Sequence, residues 1–221
     1  MINNMRKLTL LYLLLLPMLG IARPDIFTSG GRPHFQFGAQ IGGNINYFKY
    51  NNGQKRDEAA GYQGGLFFRM TRQIVFVQFE LNFLRSAVNF KNGIFTTHHR
   101  NNIPFDILKM KYHMVGVPFL FGVYAVKKPI YKLRFYNGIE MEFLTKARVT
   151  IDQNSGEVFK LTRKEKQHIF RPPQFSYQLG MGMDIAMFIF DFKYSVGMRS
   201  FFKEEYRTQT HLFQFTVGAI F

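Results

Sequence analysis

Six histidines, His34, His98, His99, His113, His168 and His211, are the side chains best suited to move protons near neutral pH in a chain of 221 residues without cysteine. Thiol chemistry, a disulfide scaffold and a lipid-anchoring cysteine are excluded at once. Hydrolysis by a hydroxyl nucleophile needs a Ser, a His to activate it and an acid to orient the His. Ser200, Glu204 and His211 are near enough in sequence to suggest such a set, but these groups meet by accident in many hairpins. His98 and His99 are adjacent, and two neighbouring imidazoles alone supply too few ligands for a metal. No catalytic, cofactor-binding or metal residue is expected, and the chain does not read as an enzyme.

The remaining chemistry is ionic, and its meaning depends on where the backbone places the charges. Residues 34–48, HFQFGAQIGGNINYF, alternate Phe35, Phe37, Ala39, Ile41, Ile45 and Tyr47 with His34, Gln36, Gln40, Asn44 and Asn46. A pleated strand would carry one apolar face and one wet face. The alternation recurs in 61–70, 74–90, 108–124, 131–145, 174–185, 187–200 and the residues ending at Phe221, and no segment sustains a 3.6-residue apolar period. That makes eight strands. Their connections alternate between long polar ones (51–60, 91–107, 146–173 and 201–209) and short ones near 71–73, 125–130 and 184–187. An even strand number with long outer loops and short periplasmic turns is the pattern of a transmembrane barrel.

The apolar face is bulky in every strand, whereas the other face mixes charges with glycines such as Gly38, Gly116, Gly138, Gly180 and Gly182. Eight strands enclose too little volume for eight rows of Phe, Leu and Met. The apolar face therefore looks out at lipid, and the expected fold is all-β: an eight-stranded antiparallel outer-membrane barrel over 34–221. This places Arg69, Glu80, Lys132, Arg134, Glu140, Glu142, Asp184, Asp191, Lys193 and Arg199 inside. Charges in so narrow a lumen must pair, because an unpaired buried charge is very costly, so they are expected to form a closed ionic plug.

Near the loop side the outward residues turn basic: Lys49, Arg85, Lys109, Lys111, His113 and His211. At that height they form a candidate belt for the phosphates of outer-membrane lipid and lipopolysaccharide. Pro118 cannot donate to a ladder, so a bulge is expected near it, and a bulge between Lys111 and Val115 would turn Lys109 and Lys111 inward. The third long connection, 146–173, has seven basic and three acidic residues, a net +4, and is a second candidate surface for an anionic partner.

Export is read from the N-terminus. Residues 1–22 place Arg6 and Lys7 before the apolar run Leu8 to Leu16, followed by Pro17, Gly20 and Ala22, which is the layout of a cleavable signal peptide. Residues 23–33 would then form a short periplasmic segment. The formal charge of +15 falls to +13 once Arg6 and Lys7 are removed. With export, that charge points to an anionic membrane surface rather than nucleic acid. Terminal Phe221 resembles the C-terminal aromatic signal read by the barrel-assembly machinery.

The stretches FQFGAQIGGNI, GYQGGLFFRM, VQFELNFL, YHMVGVPFLF, FYNGIEMEFL, FSYQLGMGMD, FDFKYSVGMRSF and FTVGAIF together resemble the PorT-like outer-membrane β-barrel family of Bacteroidota. The resemblance spans nearly all of the chain after the signal. It implies an outer-membrane location, no cofactor and no shared catalytic residue, and one member type contributes to type IX protein secretion. The expected function is a structural or interaction role, as an accessory of secretion or envelope assembly with an envelope or secretion protein as partner. The competing classes are a narrow channel and a lipid A-modifying enzyme. One deacylase family of the latter class requires Ser two residues after its His, and none of the six histidines has it.

Overall fold

Alternation of bulky apolar residues with polar or small ones gives each strand two unlike faces, and in a computed structural model these strands pair edge to edge until the sheet meets itself. The structure describes residues 32–50, 56–57, 59–96, 102–152, 173–198 and 208–221. The strands are β1 (His34–Tyr50), β2 (Arg56–Asp57), β3 (Ala59–Arg72), β4 (Val75–Thr96), β5 (Asn102–Lys127), β6 (Tyr131–Asp152), β7 (Gln174–Ile185), β8 (Phe188–Gly197) and β9 (Thr208–Ile220). Each long strand pairs antiparallel with the next in sequence, β1 closes on β9, and β2 is a two-residue fragment beside β4. The result is the expected eight-stranded antiparallel barrel, whose closure leaves no sheet edge. The signal peptide over 1–22 and most of the 23–33 segment lie outside the described residues.

The short-turn end is tightly tied. Arg72 pairs with Val75 and Ile185 with Phe188 across two-residue loops, whose first residues, Gln73 and Ala186, take φ of 53° and 51°. Primed hairpin turns impose such positive angles. Backbone bonds then link neighbouring turns: Tyr124 N donates to Ile74 O (2.7 Å), Ala186 N to Ile130 O (2.8 Å) and Ile220 N to Met187 O (2.8 Å).

The loop end is taller than the alternation predicts. Most of the expected connection 91–107 is ladder, running from Lys91 opposite Ile107 to Thr96 opposite Asn102, and β6 continues to Asp152. Lys146 and Arg148 are thus strand residues, not loop residues. The reason is an inversion of pattern. In the girdle apolar residues face out, as with Leu66 at 61% exposure and Ile41 at 73%. Above it Met110, Tyr112, Met114 and Ala147 are buried inside while Lys109, Lys111 and Arg148 are exposed. A period read only as apolar-outward stops at the change of solvent, and the strand does not.

Pro118 makes no bulge in the β4–β5 pairing. Phe79 opposite Phe119 and Asn82 opposite Gly116 keep one register, with no bridge in between where the proline has no N–H to give. The irregularities lie in the β5–β6 pairing, at His113/Met114 and Tyr124/Val126. At the first, His113 faces Lys146 and Met114 faces Leu144, so the extra residue, Thr145, is on β6. The alternation of β5 is undisturbed, and Lys109 and Lys111 remain outward.

Candidate functional site

The lumen is built in tiers. Its floor, toward the short turns, is an aromatic cluster of Phe76, Tyr124 and Tyr136 with Leu120, all buried. Phe76 lies 5.2 Å from Tyr124 and 6.2 Å from Tyr136 between ring centroids. Arg69 on β3 stands over this floor, its guanidinium 5.2 Å from the Phe67 ring and 5.4 Å from the Phe76 ring. It donates to Asp184 (2.9 Å) and to Gln78 (2.6 Å). Arg134 on β6 reaches the same Asp184 through Nε (2.8 Å) and Asp191 through Nη2 (2.9 Å), and Tyr136 donates to Asp191 (2.7 Å). One tier up, Lys193 on β8 meets both oxygens of Glu80 at 2.6 and 2.5 Å. Gln40, Gln78 and Asn82 also donate to Glu80, at 2.8, 2.6 and 2.7 Å.

Arg69, Arg134 and Lys193 are each 0% exposed. Buried ions of this kind persist only when paired and further hydrogen-bonded. All three are paired, Gln78 also binds Arg69, Tyr136 binds Asp191 and three amides bind Glu80, while Arg69 Nη2 and Arg134 Nη1 have no hydrogen-bond partner among the described residues. Glycine makes the room. At Gly182 a Cβ would lie 2.8 Å from Arg134 Cζ and would also strike Asp191, so a side chain there would displace the ion pair.

Three charges expected in the plug stand apart from it. Lys132 faces Asp184 in register but is only half-buried at the short-turn rim, opposite Lys127. It makes no salt bridge among the described residues, because water reaches the rim. Glu140 accepts a 3.3 Å bond from Gln178. Glu142 lines a small gap with Asn46, Tyr112 and Ser176. No cation among the described residues lies within ion-pairing distance of either carboxyl. Arg199 is outside the described residues.

On the outer face the six candidate belt positions do not form a ring. Arg85, Lys109, Lys111 and His113 fall together on β4 and β5, whereas His211 is across the barrel on β9. His211 sits among aromatics: its ring is 6.0 Å from Tyr194, whose hydroxyl is 2.6 Å from Nδ1, and 5.9 Å from Tyr47. Lys49 is paired with Gln209 in the β1–β9 ladder. Arg85 donates to the Tyr62 hydroxyl (3.0 Å) and lies 5.4 Å over its ring. Phe221 is exposed at the short-turn end, where its N–H donates to Phe37 O (2.9 Å).

Sequence reasoning missed the amide ligands of the plug, and it placed the cations Lys146 and Arg148 in the third long connection although both are on β6. For the amides a signal existed, since Gln78 and Asn82 flank Glu80 at spacing two and therefore share its face. His98, His99, His168, Ser200 and Glu204 lie outside the described residues. Among the described residues no group of three His, Cys, Asp or Glu could hold a metal ion.

Several solved barrels are similar in outline. The chain is 16% identical to Ail, the attachment invasion locus protein of Yersinia pestis (TM-score 0.43), covering 84% of this chain and 98% of that one. It is 11% identical to Neisserial surface protein A (TM-score 0.47; 84% and 97% covered) and 11% identical to OprG of Pseudomonas aeruginosa (TM-score 0.46; 86% and 98% covered). No curated protein matches the chain. An apolar exterior around a polar, charged interior is what a barrel needs to sit in lipid. A match over residues 28–203 to the outer membrane protein beta-barrel domain agrees, so the chain belongs to that family and is a protein of the outer membrane.

Proposed function

We propose that this barrel is a non-enzymatic envelope protein that serves as an interaction platform, its sealed base holding a tall β4–β5–β6 wall outside the membrane. The observation that carries the reading is the plug. Salt bridges of 2.5 to 2.9 Å join β3, β4, β6, β7 and β8 across the lumen at 0–2% side-chain exposure, and an aromatic floor lies beneath them. Such a base favours neither solute passage nor chemistry. The 26 residues of β5 far exceed the roughly ten that a strand needs to cross a bilayer. The resemblance to PorT-like barrels supports an accessory role in type IX-like protein secretion or envelope assembly, with a protein of that apparatus on the wall. In planar bilayers the purified barrel is expected to give no single-channel steps, and steady conductance would overturn the sealed base. Deleting the gene is expected to impair cargo secretion or barrel assembly without changing the mass spectrum of lipid A. An altered lipid A would replace this reading with the enzymatic one.

A further inference from the structure

The outward rows of β4, β5 and β6 change character over a few residues. Reading across the ladder, Phe83, Val115 and Phe143 form one row, and Val117 faces Met141 in the row below. The next row up is Arg85, His113 and Lys146, and the one above is Ala87, Lys111 and Arg148, with Lys109 higher on β5. Side chains directly opposite are about 5 Å apart at Cβ, so two or three cations can share one phosphate. Among the described outward side chains of these upper rows there is no carboxylate.

The Thr145 bulge sets up this arrangement. In unbroken alternation from Glu140 and Glu142, which are buried, residues 146 and 148 would also point inward. The extra residue reverses the parity, so that Ala147 is buried and Lys146 and Arg148 are exposed. The height also fits. At about 2.5 Å of rise per residue for a tilted strand, Arg85 stands about 25 Å and the Lys109 row about 35 Å above the β3–β4 turn. That interval is the headgroup layer, directly above an apolar band of about 25 Å.

We infer that the outer face of β4–β6 is a binding site for one class of ligand, a phosphorylated glycolipid of the outer leaflet. Its phosphates lie among Arg85, Lys109, Lys111, Lys146 and Arg148, and its acyl chains run down the Phe83, Val115 and Phe143 row. The candidate belt thereby becomes a one-sided site, since on the β8–β9 wall at this level His211 is held among tyrosines. The inference rests on the outer-membrane placement of the long-loop end and not on the accessory role proposed above.

The test uses the full exported chain in neutral detergent, titrated with bisphosphorylated lipid A, its dephosphorylated form and inorganic pyrophosphate, with binding read by native mass spectrometry. A cation at a membrane surface is worth about fivefold in affinity, so Arg85→Gln, Lys111→Gln and Arg148→Gln together should weaken bisphosphorylated lipid A about a hundredfold. His211→Gln on the far wall should leave it unchanged. Dephosphorylated lipid should bind the native chain no better than it binds the triple variant. Equal binding of bisphosphorylated lipid A by the native and triple-variant chains would overturn the site. Pyrophosphate binding as tight as the lipid would overturn the glycolipid and leave a bare anion site. Arg85→Lys with Arg148→Lys keeps the charge and should keep most of the affinity, which separates the site from any loss of fold in the triple variant.

Discussion

The girdle below Arg85 and the wall above it belong to the same strands and obey opposite rules. In the girdle Leu66, Phe79, Phe119 and Ile139 face out, and the interior holds ions that neutralise one another. In the wall the exterior is basic and the interior takes Leu84, Met110, Tyr112 and Met114. The backbone alternation is continuous along β5, so the change records a change of solvent outside the barrel and not a change of fold. The difference also concerns charge balance. Inside, the three fully buried cations Arg69, Arg134 and Lys193 find their counter-ions within the chain, whereas outside one sign accumulates and asks for a counter-charge from the membrane.

The comparison is broken most severely at the plug. Lys193→Met leaves Glu80 buried among amides without its cation, and Arg134→Met does the same to Asp191, while Asp184 keeps Arg69. Each should cost about 3–5 kcal/mol in urea unfolding of the refolded barrel. Replacing the pair, Lys193→Met with Glu80→Gln, should cost much less than Lys193→Met alone, because the penalty lies in the unpaired charge and not in the missing bridge. An equal loss in the double variant would mean that the plug is held by packing rather than by charge.

A smaller effect locates the boundary. Leu66 and Ala60 both face out on β3, Leu66 midway between the turn at Arg72 and Ala60 beyond the Tyr62 level. Leu66→Lys should destabilise the barrel in lipid by about 2–4 kcal/mol and Ala60→Lys by about 0–1, with folding measured in vesicles of neutral lipid. Similar costs at the two positions would erase the distinction between girdle and wall.

The same boundary explains what the sequence could and could not reveal. The girdle was legible because eight segments repeat one bulky residue in two on a constant side, and the ionic interior followed from the volume of so small a barrel. The upper ladder was not, because beyond Arg85 apolar residues move to the inside and the pattern reverses. The aromatic floor was hidden for another reason: in LFF (66–68) and VFV (75–77) both faces are apolar, and only the closed sheet turns Phe67 and Phe76 inward. The alternation alone puts Lys146 and Arg148 in a loop, since a single bulge residue such as Thr145 leaves no mark on composition. The role of Gly182 likewise needed the position of Arg134, although its smallness was plain.

The smallest predicted effect carries the sharpest sign. Lys111 lies directly opposite Arg148, and like charges so placed oppose folding by about 0.2–1 kcal/mol. In neutral detergent at low salt, Lys111→Gln should therefore raise stability by that amount, an unusual outcome for removing a strand side chain. At 1 M salt the screening length falls to about 3 Å, shorter than the separation of the two charges, and the gain should vanish. With bisphosphorylated lipid A present the sign should reverse, because the lysine then has an anion to meet and its removal takes away attraction as well as repulsion. No plug variant can behave this way, since its counter-ions are internal and shielded from both salt and lipid. A Lys111→Gln chain whose stability ignores salt and lipid alike would mean that the wall's cations are mere solvated strand ends.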